Sequence, residues 1–161
     1  MEGKTDRIKL LFLDVDGVLT DGRININEMG EETKSFYVKD GLGLKMLMSE
    51  GIEVVIITGR SSMAVAHRAQ ELNIKEVYQG TTDKQALCRQ IRTKKGLNKI
   101  ETCCIGDDLP DLAMFMEAGL CIAVADAVKE VRRKADFVTQ KKGGHGAVRE
   151  ACEWILNCRG A

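Results

Sequence analysis

Apolar residues along the chain cluster into short runs separated by longer stretches in which they recur every three or four positions. The runs Ile8 to Asp14, Gly51 to Thr58, Glu76 to Gln79, Thr102 to Gly106 and Leu120 to Val124 are of strand length, rich in Val, Ile, Leu or Cys, and closed by turn or polar residues. Between them, helices are predicted over Gly43 to Glu50, Ser61 to Leu72, Thr82 to Lys95, Pro110 to Ala118 and Ala127 to Lys134, with a last one over Gly146 to Cys158. In that last helix Ala147, Val148, Ala151, Ile155 and Leu156 form one apolar face, and Trp154 is expected in the core or at an interface. Strand and helix alternate throughout, which predicts an α/β fold: a doubly wound, Rossmann-like parallel sheet of five strands with helices on both faces.

One stretch interrupts this alternation. From Val18 to Val38 the chain reads as a β-hairpin, with Arg23 to Asn27 and Thr33 to Val38 as its arms and a turn at Glu28-Met29-Gly30. Only about twenty residues lie between the first strand and the first helix, too few for an inserted lid domain. With no repeats, linkers or low-complexity tracts, one domain over residues 1–161 is expected, with the hairpin at about 18–38 as an insertion.

Composition narrows the setting. The 24 basic and 24 acidic residues cancel and are interspersed, so nucleic acid is not the expected partner. No apolar run approaches the roughly 20 residues that span a bilayer, and Met1 to Asp6 lacks the apolar stretch of a signal peptide; a soluble, cytoplasmic setting is expected. The six cysteines include the adjacent pair Cys103-Cys104 and no C-x-x-C spacing, so reduced, mostly buried thiols are expected.

The chemistry gathers at the ends of the strand runs. The first ends in Asp14-Val15-Asp16-Gly17, two acids where parallel strands present their carboxyl ends to a ligand. Turn hydrogen bonding alone would explain such a pair as readily. The fourth run, however, ends in Gly106-Asp107-Asp108-Leu109-Pro110-Asp111, and convergence of these carboxylates calls for a cation. Oxygen ligands without a nearby histidine favour Mg²⁺, a metal that typically works with phosphate. Thr58-Gly59-Arg60-Ser61 offers hydroxyls and a helix start suited to an anion, with Thr58 or Ser61 also available as the helix cap. Lys84 follows Asp83 at the start of the next helix; a solvated lysine is the plain reading, and a phosphate ligand is the functional one. His145 is expected to be incidental.

Taken in order, Asp14-Val-Asp16-Gly-Val, Thr58-Gly-Arg, Lys84 and Gly106-Asp-Asp-x-x-Asp111 resemble the four motifs of the haloacid dehalogenase-like phosphatases over most of the chain. Thr20-Asp21-Gly22, Val38-Lys39-Asp40-Gly41, Ile57 to Ser61 and Gly143 to Glu150 look, more narrowly, like the 3-deoxy-D-manno-octulosonate (KDO) 8-phosphate phosphatases, from about Ile8 onward. The resemblance implies a capless core, a homotetramer with hairpins at its centre, and active sites near subunit interfaces. It implies Asp14 as nucleophile, Asp16 as general acid/base, and Mg²⁺ held by Asp14, the Asp16 backbone carbonyl and Asp107. It also implies Thr58, Gly59, Arg60 and Lys84 around the substrate, with Arg60 toward a sugar carboxylate, and Asp108 and Asp111 in support. The implied reaction is Mg²⁺-dependent hydrolysis of KDO 8-phosphate in lipopolysaccharide biosynthesis. A nine-carbon acidic sugar phosphate would use the same motifs, and a non-catalytic tetramerisation module is the reading from another class.

Overall fold

The computed structural model describes residues 3–159. Its strands are β1 (Leu10–Leu13), β2 (Asn25–Ile26), β3 (Glu32–Thr33), β4 (Glu53–Ile57), β5 (Glu76–Tyr78), β6 (Thr102–Gly106), β7 (Leu120–Ala123) and β8 (Phe137–Val138). The helices are α1 (Val38–Ser49), α2 (Met63–Glu71), α3 (Lys84–Lys94), α4 (Leu112–Phe115), α5 (Lys129–Lys134) and α6 (Ala147–Asn157). Six strands form one parallel sheet in the order β5-β4-β1-β6-β7-β8. From β1 the chain runs outward to β4 and β5, then returns to β6 on the other side of β1. That reversal opens a crevice at the carboxyl ends of β1 and β6, where α/β sheets bind ligands. Helices cover both faces, so every residue of β1, β6 and β7 is buried, which accounts for their largely apolar sequences.

Several boundaries differ from expectation, each for a local reason. The sheet has a sixth strand, β8, paired in parallel with β7. Its apolar run is only Phe137-Val138, too short to register as a strand, and Trp154 secures it by stacking on Phe137 at 4.3 Å with rings 1° from parallel. Helix α1 starts at Val38, not Gly43, and runs through two glycines. A side chain at Gly43 would put its Cβ 3.0 Å from the Arg149 Cα, so α1 gives up helix propensity to sit directly on α6. Asp40 on α1 is 1% exposed and accepts from the Arg149 N–H at 2.8 Å, capping α6 from the neighbouring helix.

The expected helix over Pro110 to Ala118 divides. Leu109–Asp111 is a 3-10 turn, tightened by the Asp108 side chain, which accepts from the Leu109 N–H at 2.7 Å; only Leu112–Phe115 is α-helical. The cap of α2 is neither Thr58 nor Ser61 but Ser62, whose hydroxyl accepts from the Ala64 N–H at 3.2 Å. The hairpin is present with a short ladder, Asn25 opposite Thr33 and Ile26 opposite Glu32. All six cysteines are free, and all but Cys158 are buried.

Candidate active site

The residues expected to carry chemistry come together at the crevice. Asp14, Asp16, Thr58, Gly59, Arg60, Lys84, Asp107, Asp108 and Asp111 all line one open cleft of about 620 Å³. Asp14 follows β1 and is 5% exposed, with its backbone N–H donated to the Ile105 carbonyl of β6. Lys84 opens α3, behind the Asp83 side chain that caps the helix by accepting from the Ala86 N–H at 2.9 Å. Its Nζ lies 2.8 Å from Asp14 Oδ1 and 2.7 Å from Asp111 Oδ1, and it is 8% exposed. The plain reading of Lys84 as a solvated residue therefore fails. Asp111 uses its second oxygen to accept the N–H groups of Asp107, at 2.9 Å, and Asp108, at 3.3 Å. It thus fixes the loop after β6 and anchors the lysine at once.

Charge is unbalanced here. Carboxylate oxygens of Asp14, Asp107 and Asp111 lie within 4.8 Å of one another, around a single ammonium. Burial, then repulsion from Asp111, pushes the Asp14 carboxyl up to about 7 despite Lys84. Burial, then repulsion from Asp111 and Asp14, pushes Asp107 up to about 9. Burial works against the Lys84 ammonium, yet Asp14 and Asp111 outweigh it and hold the lysine above its ordinary value. Crowded, buried oxygen donors carrying more negative charge than their neighbours neutralise are the donor set that suits a hard divalent cation, so these residues fit Mg²⁺.

The loop beyond Asp14 is held from two sides. Val15 accepts at its carbonyl from the N–H groups of Val18, Leu19 and Thr20, and Gly17 adopts φ +85°. A Cβ on Gly17 would sit 1.9 Å from an Asp107 oxygen, and one on Gly143 would sit 1.7 Å from the Gly17 carbonyl. The glycine-rich segment from 143 is thus packed against the Asp14–Asp16 loop of its own chain, and the Gly144 N–H donates to the Val18 carbonyl at 3.0 Å. Thr58 is 2% exposed at the end of β4, and its carbonyl accepts from the Thr81 N–H at 3.1 Å.

A family model described as haloacid dehalogenase-like hydrolase matches residues 74–150. The chain is 41% identical over 160 residues to the 3-deoxy-D-manno-octulosonate 8-phosphate phosphatase KdsC of Haemophilus influenzae, covering 99% of this chain and 89% of that protein. The chain belongs to this phosphatase family. The corresponding Escherichia coli K12 enzyme is 42% identical over 157 residues, covering 98% of this chain and 84% of its relative. Among solved structures, the KDO 8-phosphate phosphatase of Moraxella catarrhalis, in complex with a magnesium ion, a phosphate ion and a KDO molecule, superposes with a TM-score of 0.94 at 48% identity, covering 97% of this chain and 90% of that one. As a member of this haloacid dehalogenase-like family, the protein is a sugar-phosphate phosphatase.

Two residues of this phosphatase near the cleft were not singled out from sequence. Lys34, just past β3, points inward to put its Nζ 2.5 Å from Asp16 Oδ1 and 2.7 Å from Glu32 Oε1. Arg60 faces Glu32 in turn, its Nη2 2.6 Å from Oε2. Arg60 is therefore already paired within the chain while lining the cleft. Burial lowers the Lys34 ammonium, but Asp16 and Glu32 together hold it above its ordinary value, while hydrogen bonds from Lys34 and Arg60 hold Glu32 below the usual carboxylate range. The available signal was the two-residue spacing of Glu32 and Lys34, which puts both on one face of a strand.

Proposed function

We propose that the protein hydrolyses KDO 8-phosphate to KDO and phosphate through a phosphoaspartyl intermediate on Asp14, with Mg²⁺ as cofactor, in the cytoplasm and on the route to lipopolysaccharide. The observation that carries this reading is the convergence of Asp14, Lys84, Asp107 and Asp111 in one cleft at the switch point of the sheet. The magnesium, phosphate and KDO held by the Moraxella enzyme support the choice of substrate and metal. Among the described residues, no helix is long and apolar enough to cross a membrane.

Asp14, the Asp16 carbonyl and Asp107 would hold Mg²⁺, which when bound neutralises charge that otherwise keeps a carboxylate from an anionic phosphoryl group. Asp14 attacks phosphorus as the bond to the sugar oxygen breaks, and Asp16 gives that oxygen a proton. The phosphoryl group then rests on Asp14 as an acyl phosphate. Asp16, now a carboxylate, takes a proton from the attacking water, and phosphate leaves. Thr58 and Lys84 hold the phosphoryl oxygens, with Lys84 kept in place by Asp111. Asp108 caps its own turn and is assigned no step.

We read the chain as one domain that assembles as a homotetramer around its hairpins. Ile24, Ile26 and Met29 support this, being 52%, 60% and 83% exposed on a ribbon that lacks an apolar partner among the described residues. The deciding test is phosphate release from a panel of sugar phosphates, with Mg²⁺ or EDTA, by the wild type and Asp14→Asn. Release that prefers KDO 8-phosphate, stops with EDTA, and is lost in a folded Asp14→Asn protein is expected. Turnover by Asp14→Asn would overturn the nucleophile, and preference for a nine-carbon acid would overturn the substrate.

A further inference from the structure

The described residues include one lysine whose burial the phosphatase mechanism above does not use. Lys34 springs from an exposed two-stranded ribbon, yet its side chain is only 2% exposed, lying inward between Asp16 and Glu32. Lysine loses much rotamer freedom when fixed and is almost never fully buried unless paired. The pairing here is a ladder of alternating charge: Asp16, Lys34, Glu32, Arg60, with successive N···O separations of 2.5, 2.7 and 2.6 Å. With Asp16 ionised the four formal charges cancel; with Asp16 protonated, as the acid step requires, one positive charge is left over. Lys34 is nonetheless engaged by two carboxylates, and Lys84 is already the cation at the phosphoryl site, so a phosphate-clamping role does not follow.

The ladder does hold Asp16. Among the described residues, Lys34 is the one hydrogen-bond partner of the Asp16 carboxylate, whereas Asp111 is pinned by two backbone N–H groups as well as a lysine. Asp16 lies in the loop after β1, immediately before Gly17, and would otherwise be free to turn about χ1 into the open cleft it lines. We propose that Lys34 is a positioning residue that fixes the Asp16 carboxyl for proton transfer to the leaving sugar oxygen, and that Glu32 braces Lys34 for that task. The hairpin thereby contributes to catalysis within its own chain. This rests on the phosphatase reading and on Asp16 as acid.

Proton donation matters for an alkyl leaving group, such as the primary alcohol of a sugar phosphate, and hardly at all for p-nitrophenolate, a stable anion. In both esters the same P–O bond breaks and the same bond to Asp14 forms; only the need for the proton differs. Rapid-quench measurement of Asp14 phosphorylation, with Mg²⁺ present, therefore separates positioning from plain stabilisation. The variants are Lys34→Met, unbranched and of similar length, and Glu32→Gln, which weakens the brace without removing the lysine. Because general acid catalysis is worth roughly 10²–10⁴-fold, Lys34→Met is expected to slow phosphorylation by KDO 8-phosphate on the order of tenfold or more beyond any effect on p-nitrophenyl phosphate. Glu32→Gln should move the ratio the same way by less. Equal losses on both esters, or no loss on either, would overturn the proposal. A wild type that phosphorylates Asp14 from neither ester would instead overturn the phosphatase reading itself, and if Lys34→Met does not fold, the Glu32→Gln ratio decides.

Discussion

Glu117 offers the most quantitative test of how the catalytic half of the sheet is held together. It follows α4 and is 0% exposed, yet it faces three cations: Arg89 Nη2 at 2.8 Å, Arg92 Nη2 at 2.9 Å and Lys99 Nζ at 3.9 Å. Gln85 adds a hydrogen bond at 3.2 Å. Gln85, Arg89 and Arg92 all belong to α3, the helix that begins with Lys84, so one carboxylate ties that helix to the turn before β7. Burial alone would raise its pKa, but the hydrogen bonds from Arg89, Arg92 and Gln85 more than reverse this and hold it at about 2 against an ordinary 4.5. At about 1.4 kcal/mol per pH unit, that displacement corresponds to about 3 kcal/mol. The Arg89 side chain is 59% exposed. Solvent screening of that partner brings the working figure to about 2 kcal/mol.

Glu117→Gln removes the charge and keeps the shape. At pH 7 it should cost about 2 kcal/mol, or about 4–8 °C in melting temperature for a chain of this size. A lowered folded pKa means stabilisation that is complete above the unfolded value of 4.5 and is lost as pH falls toward about 2. The gap in unfolding free energy between wild type and variant, from urea titrations followed by circular dichroism, should therefore be level from pH 7 to about 5 and shrink below that. A gap under about 0.5 kcal/mol at pH 7, within the range of an ordinary surface substitution, would refute the reasoning. So would a gap that widens with acid.

Two further outcomes follow from contacts around the cleft. Gly143→Ala would set a Cβ 1.7 Å from the Gly17 carbonyl, so the Asp14–Asp16 loop must shift; both melting temperature and phosphate release should fall, and an unchanged protein would contradict the packing. Asp111→Asn removes the charge that anchors Lys84 and should lower kcat/KM on the order of tenfold, as loss of a supporting partner commonly does; unchanged kinetics would show that Lys84 is held without it.

Much of the sheet and the cleft was legible in the sequence because the strands are buried on both faces and the acids stand at their ends. The boundaries that were not legible depended on distant parts of the chain. β8 is two residues long and exists because β7 and Trp154 receive it, and α1 extends through Gly41 and Gly43 because α6 comes close there. Nothing local marks Glu117 as buried, since its partners on α3 lie 25 to 32 residues earlier. Lys34 falls within the predicted hairpin arm Thr33 to Val38, and only the fold of the hairpin brings it to Asp16.

The order of the strands bears on how the protein is made. Asp14 and Asp107 face each other across β1 and β6, which are neighbours in space but are separated in the chain by the whole outward excursion through β4 and β5. A ribosome that has released residues up to about 95 has supplied Asp14, Thr58, Lys84 and one side of the central strand, but not Asp107, Asp111 or the glycines that brace the loop. The nascent half can offer Lys84 as a counter-ion to Asp14, yet it holds neither the second acidic cluster nor the far wall of the cleft. The cleft is therefore complete only when the last third of the chain has emerged and docked.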